Sequence, residues 1–582
     1  MSDLPPGVLF FLGALLLPFL PRRIRSLAFL VFPLLAFGLV IQLVEGSSST
    51  LRFLDLDLVP LRVDRLSLAF AYVFILIAFL GGIYSYHLAD IGQQIAALIY
   101  AGSSLGVLFA GDWFTLFVCW ELMAVASVYL IFARRTEQSR EAGMRYLLFH
   151  LFGGSALLAG ILWQYVNTSS ILFDRSEAGA AAYLILLGFA INAAIPPLHA
   201  WLADSYPEGT VTGSVFLSAF TTKTAVYVLA RGFAGWEILM IAGTVMALFG
   251  VVFAFLEDDI RRVLAYHIVS QVGYMVAGIG IGTEIAINGS TAHAFAHILY
   301  KGLLFMGAGA VLYATGRSKM SELGGLAGSL PWVLLLYMVG ALSISAFPLF
   351  SGFVSKSLVV YAAEQKHETA VVLLLNLASV GTFLSIGLKV PYFTWFGPER
   401  TLTTRPVPWN MYAAMILAGA INLAIGIYPD LLYKVMPFPV EYRPYTAAHL
   451  LETLQLLIFT GLAFWLVLDK IHVERKITLD FDWFYRSPAP IIFRLTVVSL
   501  DRLFAAAEQE TSNWARGLAR ACSNPVACAS RLLSPSSNKD NVSSVGADGF
   551  YDPNRYRPSV GFIILVVLSC FVVLLAWNLF VV

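Results

Sequence analysis

The stretch HAFAHILYK places His293, His297 and Lys301 four residues apart, with the apolar run LLFMGAGAVLY on its far side. Positions four apart share one face of a helix, so the three side chains form a stripe. Two histidines at this spacing can bind zinc, but HExxH is missing and no carboxylate or cysteine ligand stands nearby. A static polar network is a second possibility and a proton relay a third. Buried histidines, lysines and carboxylates can accept and release protons near neutral pH, and water between them would make a row of such groups conductive.

Other ionisable residues occupy equally apolar surroundings. Glu121 lies within DWFTLFVCWELMAVASVYL, Lys223 within FTTKTAVYVLAR and Lys389 within IGLKVPYF; His150 and Lys356 complete the set. A charge at a bilayer centre costs about 2.5–3.5 kcal/mol on insertion scales, so it persists where it is paired, hydrated or functional. A structural ion pair is the plain alternative for Glu121, Lys223 and Lys356, and a hydrogen-bonded packing role for His150.

The elements that must position these groups are membrane helices. Of 582 residues, 59% are hydrophobic and 13% charged, the composition of an integral membrane protein. Apolar runs of bilayer length recur about sixteen times. They fall near 7–20, 26–45, 66–88, 93–110, 113–132, 145–166, 181–201, 211–231, 237–256, 262–282, 290–314, 331–361, 370–396, 409–429, 450–469 and 559–581. The first run precedes Arg22, Arg23 and Arg25, which suits a retained helix and not a signal peptide. LRFLDLDLVPLRVD alternates apolar and polar residues around Pro60, as a short β-hairpin outside the membrane would.

Lys and Arg concentrate in RRIR, RRTEQSREAGMR, DDIRR, GRSK, PERTLTTR and DKIHVERK, which places these loops in the cytoplasm and both termini outside. Region 470–558 reads as a cytoplasmic-side segment. It holds an amphipathic stretch around FRLTVVSLDRLFAAAEQETSNWARGLARA and the tract SPSSNKDNVSS, and precedes an anchor at 559–582. Cys119, Cys522, Cys528 and Cys570 form no ligand-like set. A net charge of +1 without a basic aromatic block argues against a nucleic-acid partner.

Two spans are interrupted, AAIPPLHAWL at Pro196-Pro197 and SAFPLFSGF at Pro348 and Gly352, a pattern that points to a transporter built from repeats. A five-helix repeat over 93–231 and 237–396 fits, each copy holding a broken helix and then a helix with one lysine, Lys223 or Lys389. Residues 1–92 and 409–469 would add flanking helices. No Walker A, GxGxxG or iron–sulfur cysteine pattern is present, so no cofactor is expected and the driving energy must come from an ion gradient or partner subunits.

PLHAWLADSYPEGTVTGSVFLSAFTTKTAVYVLAR, DDIRRVLAYHIVSQVGYM, HAFAHILYKGLLFMGAG and FPLFSGFVSKSL resemble the antiporter-like, proton-conducting subunits of Mrp-type sodium/proton antiporters, complex I and membrane-bound hydrogenases. The resemblance covers about residues 60 to 400. It implies an all-α polytopic fold of about 14–16 transmembrane helices with two inverted five-helix repeats, each containing a broken helix. It also implies that Glu121, Lys223, His293, His297, Lys301, Lys356 and Lys389 form the proton relay. Where the family usually carries a lysine seven residues before the histidine of PLH, this chain has Asn192, which holds no proton at neutral pH. Lys223 would then take over as partner of Glu121, or this copy conducts differently.

The leading expectation is a D-type proton-translocating subunit of an Mrp-type antiporter, a secondary transporter in a bacterial inner membrane. Other membrane subunits would be its partners, and protons and sodium its ions. A pump module of a redox or inorganic-carbon uptake complex, and a non-conducting scaffold, are the rivals.

Overall fold

The computed structural model describes residues 4–398, 402–470, 480–523 and 560–581, with Arg400 and Leu533. Among these, twelve helices are long and apolar enough to cross a membrane, and shorter apolar helices lie at 7–19, 180–192, 331–344 and 560–574. Each expected span is helical.

Helices α1 (Gly7–Leu16) and α2 (Arg22–Gln42) lead into an antiparallel hairpin of β1 (Ser48–Phe53) and β2 (Leu56–Arg62). This is the expected hairpin, and its turn falls at Leu54-Asp55. Pro60 sits within β2, where pairing jumps from Ser49↔Leu61 to Leu51↔Leu58. A residue without an N–H is accommodated at such a bulge. Helix α3 (Arg65–Tyr84) then begins with a capping box between Asp64 and Ser67.

The first repeat comprises α4 (Ile91–Phe109), α5 (Trp113–Phe132), α6 (Glu137–Thr168), the broken pair α7 (Ala180–Asn192) and α8 (Ala200–Ser205), and the interrupted pair α9 (Gly213–Ala219) and α10 (Thr221–Gly232). The second comprises α11 (Glu237–Leu256), α12 (Ile260–Ile281), α13 (Glu284–Thr315), the broken pair α14 (Pro331–Ile344) and α15 (Ser351–Gln365), and α16 (Thr369–Thr382). Two π-helical turns, Phe383–Lys389 and Tyr392–Phe396, continue α16. Five crossings are an odd number, so the second copy starts from the opposite side of the membrane and the repeats are inverted.

Local chemistry repeats as well. Asp112 caps α5 by accepting from the Thr115 N–H, and Asp259 caps α12 by accepting from the Arg261 and Arg262 N–H groups. Each cap satisfies donors that the first helical turn leaves open, worth about 1 kcal/mol. Both aspartates also form an isolated β-bridge beyond the next helix, Asp112 with Leu172 and Asp259 with Lys319.

At the two breaks, an alanine two residues before a proline turns left-handed, Ala194 at φ 59° and Ala346 at φ 57°. The next N–H reaches back five residues, Ile195 to the Ala190 carbonyl and Phe347 to the Leu342 carbonyl. The proline then forbids continuation of the helix. The lysines follow in the same order but not at the same spacing, since Lys389 lies farther beyond its break than Lys223 does.

Helices α11 and α12 meet backbone to backbone: a Cβ on Gly243 would lie 2.2 Å from the Ala277 nitrogen, and one on Gly280 2.0 Å from the Met240 nitrogen. Helices α12 and α13 form the middle of the bundle, with 100% and 89% of their apolar windows buried. Helices α17 (Trp409–Ile427), α18 (Asp430–Tyr433) and α19 (Ala447–Val467) complete the first compact unit, which ends at Asp482.

Beginning at that last residue, α20 (Asp482–Arg486) leads into the second unit, 483–582. That unit contains α21 (Pro488–Phe493), a π turn at Arg494–Val498, α22 (Ser499–Ser523) and α23 (Val560–Val581). The expected amphipathic stretch is thus helical, with exposed Leu500, Leu503, Phe504, Trp514 and Leu518. SPSSNKDNVSS and Cys528 lie outside the described residues.

Candidate functional site

His293, His297 and Lys301 are all buried on α13. The His293 Nδ1 lies 3.2 Å from Ser355 Oγ, and its ring centroid 6.2 Å from that of His297. His297 in turn meets the Tyr300 ring at 5.2 Å. Among the described residues, His293 Nε2, both nitrogens of His297 and Lys301 Nζ have no hydrogen-bond partner. A buried polar atom left unpaired costs about 1–3 kcal/mol, so these atoms belong with water.

The other three lysines solve their burial in a common way, at a helix end. Lys223 Nζ donates to the Ser218 carbonyl at 2.7 Å, where α9 gives way to α10, and to Thr222 Oγ1. Lys356 Nζ donates to the Ile344 carbonyl, the last residue of α14, at 2.9 Å. It also bonds Ser379 Oγ and sits 5.0 Å above the Tyr274 ring. Lys389 Nζ donates to the Phe255 and Glu257 carbonyls where α11 ends. The last carbonyls of a helix are unpaired and carry partial negative charge, which favours an ammonium there.

Glu121 and Lys223 are not brought into contact: neither shares a salt bridge among the described residues, and Glu121 Oε1 has no partner. Glu121 is half-buried on α5, whose outer face exposes Val118, Leu122 and Val125. Its carboxylate packs against Gly154 of α6, where a Cβ would fall 1.9 Å from Oε1. One turn earlier, His150 stacks on Tyr146, and its Nδ1 lies 2.9 Å from the Tyr146 carbonyl. His150 Nε2 and both polar atoms of Asn192 are buried without a partner.

Lys356 lines a cavity of about 530 Å³ together with Glu364, Glu441, His449 and Glu452. Lys389 lies toward the opposite end of α12, beside the α11–α12 loop.

Two groups escaped the reading of the sequence. His267 on α12 is fully buried with neither ring nitrogen bonded. His199, in the first break, shares Asp480 with Tyr266: its Nε2 lies 3.1 Å from one carboxylate oxygen, to which the Tyr266 hydroxyl donates at 2.7 Å. Burial alone would push the Asp480 carboxyl up, but His199, Tyr266 and the Phe481 N–H together hold it below its ordinary value. Its distance in sequence hid the pair, whereas the aspartate-capped start of α12 could have drawn attention to His267.

The family described as NADH:quinone oxidoreductase/Mrp antiporter, TM, matches residues 110–385. The N subunit of NADH-quinone oxidoreductase from Desulforudis audaxviator is 30% identical over 383 residues, covering 60% of this chain and 76% of that protein. The chain belongs to this antiporter-like membrane protein family. The D subunit of the Na(+)/H(+) antiporter from Alkalihalophilus pseudofirmus is also 30% identical, over 316 residues that make up 51% of this chain and 64% of the relative, just under two thirds of its length. A chain of the Mrp complex from Dietzia sp. DQ12-45-1b shares the fold with a TM-score of 0.68 and 22% identity, covering 74% of this chain and 95% of its own. Each of these named relatives is a subunit or chain of a larger complex, and this antiporter-like chain is a multi-pass membrane protein.

Proposed function

We propose that this antiporter-like subunit translocates protons within a multi-subunit Mrp-type sodium/proton antiporter of a bacterial inner membrane. Glu121 and Lys223 would serve one half, His293, His297 and Lys301 the centre, and Lys356 and Lys389 the other half. His150 and Asn192 would line the water between Glu121 and the centre. The observation that carries the reading is the row of unpartnered buried atoms in His150, Asn192, His293, His297 and Lys301. Water bonded to two to four such groups relieves their burial and supplies the bridges a proton needs.

A structural ion pair would not explain this row, because none of these groups shares a salt bridge among the described residues and each keeps at least one buried polar atom without a partner there. Glu121, half-exposed on an apolar face, suits contact with a neighbouring membrane subunit, where its exposure to lipid would end. Asn192 cannot carry a proton, so transfer past it would run through water and the neighbouring titratable groups.

The test is sodium-dependent proton flux in vesicles containing the complete purified complex, with assembly checked on the same samples. Lys301→Ala and Lys223→Ala lower flux at least about 100-fold, while Asn192→Lys preserves it. Wild-type flux in both alanine variants sinks the proposal and favours a scaffold.

The likeness to a complex I subunit supports a second reading, a pump module driven by a redox partner. Copurification of a hydrophilic subunit with flavin or iron–sulfur centres selects it; a zinc-bearing partner selects an inorganic-carbon uptake complex.

A further inference from the structure

We infer that His267 is a proton carrier between Lys301 and Lys389, standing in the second repeat where Glu121 stands in the first. The inference rests on the relay reading above and adds a residue and a branch to it.

The position follows from helix register. Ser290 Oγ on α13 donates to the Met275 carbonyl on α12, fixing these antiparallel helices against each other. His267, eight residues before Met275, therefore stands level with Ile298, eight residues after Ser290 and between His297 and Lys301. Toward α16, the Tyr274 hydroxyl bonds the Leu375 carbonyl and Gln271 Nε2 bonds Thr382 Oγ1. As α12 runs back from Tyr274 to Gln271, its neighbour runs forward, so four residues more bring His267 level with Ile386, one turn from Lys389. Lysines thus flank the ring from two different helices. The charged groups whose fields reach it are Lys301, Lys356 and Lys389.

The side chain is furnished for transfer and not for packing. It is fully buried, yet neither Nδ1 nor Nε2 has a protein partner. His150, by contrast, is anchored through Nδ1 to a backbone carbonyl. A neutral imidazole accepts at one nitrogen and donates at the other. A proton leaving the Lys301 ammonium through water adds to the free ring nitrogen, and the other nitrogen gives its proton to the neutral Lys389 amine. The ring is left in its second tautomer, which ring rotation or reverse transfer resets.

The repeat supplies an independent argument. Glu121 follows the capping Asp112 by nine residues and His267 follows the capping Asp259 by eight, on equivalent helices that start from opposite faces. Each copy therefore carries a titratable group on its second helix and a lysine on its fifth. Lys356 lines the cavity near Glu364 and His449, whereas Lys389 meets the α11–α12 loop. The relay consequently forks after Lys301, with one arm toward each face of the membrane.

The test uses the complete complex in vesicles and reads sodium-dependent proton flux and native assembly together. His267→Gln keeps volume and hydrogen bonding but cannot titrate, and is expected to lower flux at least about 10-fold with assembly unchanged. Lys389→Gln behaves alike, and the double variant is no slower than the slower single one, because both residues lie on one arm; a merely structural ring would not give that non-additivity. Normal flux in His267→Gln while Lys301→Ala is inactive removes His267 from a relay that stands. Multiplying losses in the double variant overturn the shared arm. Wild-type flux in Lys301→Ala refutes the relay itself and the fork with it. Should His267→Gln not assemble, His267→Asn is read in the same way, and failure of both to assemble shows a packing role and overturns the inference.

Discussion

Glycine 154 offers a way to move the Glu121 carboxylate without altering its chemistry. A Cβ added there would lie 1.9 Å from Oε1 and 2.8 Å from Cδ of Glu121. To regain van der Waals separation the carboxylate must retreat by roughly 1.5 Å. It is the far end of a flexible side chain, so the backbone can stay in place, and alanine favours the helix by about 1 kcal/mol over glycine. Assembly should therefore be unchanged or improved. Transfer geometry should suffer, since misplacing a reacting group by about 1 Å can cost about 100-fold. The expected loss of proton flux in Gly154→Ala is about 10- to 100-fold, equivalent to about 1.4–2.7 kcal/mol in barrier. Gly153→Ala is the matched control, because its Cβ would meet Ile191 at an ordinary 3.4 Å. Flux is measured in vesicles with the complete complex, beside Glu121→Gln. Wild-type flux in Gly154→Ala while Glu121→Gln is inactive refutes the reasoning, as does an equal loss in Gly153→Ala.

Asp480→Ala leaves the Tyr266 hydroxyl and His199 Nε2 buried without their acceptor, a loss of roughly 2–6 kcal/mol at about 1–3 for each group; a lowered melting temperature of the detergent-solubilised complex checks it, and an unchanged one counts against the contact. Since the folded carboxyl titrates below its unfolded value, the stabilisation is present above the ordinary carboxylate range and is lost as pH falls through the depressed value. The difference in melting temperature between wild type and Asp480→Ala should accordingly hold from about pH 8 to 5 and shrink below about pH 4. Gly280→Ala forces α11 and α12 apart at backbone contacts and should cost about 1–3 kcal/mol, read as reduced yield and thermal stability of the complex.

The spans were legible because a bilayer imposes length and apolarity on every crossing. The two breaks were legible because Pro196, Pro197 and Pro348 cannot sit inside a regular helix at those points. The hairpin was legible from the alternation around Pro60, but not its turn or bulge, since proline marks bulges and turns alike. The interruption at Phe220 and the π turns around Lys389 carry no proline or glycine signature strong enough to locate them. His267 lies in AYHIVSQVGY without a titratable residue at helical spacing on its own helix; the groups flanking it belong to α13 and to the turn after α16. The Asp480 contact spans 281 residues, beyond the reach of any local pattern. Glu121 and Lys223 make no direct contact for a related reason: a nearer carbonyl takes the lysine.

That carbonyl explains why breaks and lysines travel together. An unbroken helix in a membrane commits each carbonyl to a backbone N–H and leaves a side chain only its second lone pair, as Met275 and Leu375 show. An interruption instead leaves a carbonyl with no backbone partner at all, and a buried acceptor of that kind needs a donor. Ser218 and Ile344 are freed by interruptions within spans, and Lys223 and Lys356 answer them. Phe255 and Glu257 lie at a helix end, and Lys389 answers those. Lys301 is different, for α13 runs unbroken past it and its Nζ has no protein acceptor. The carbonyl-bound lysines have protein acceptors that fix their positions in this structure. On the proposed reading Lys301 therefore bonds water, and its bonding follows the protonation of the neighbouring rings. A chain that needed lysines only for rigidity would have given the central one a carbonyl as well.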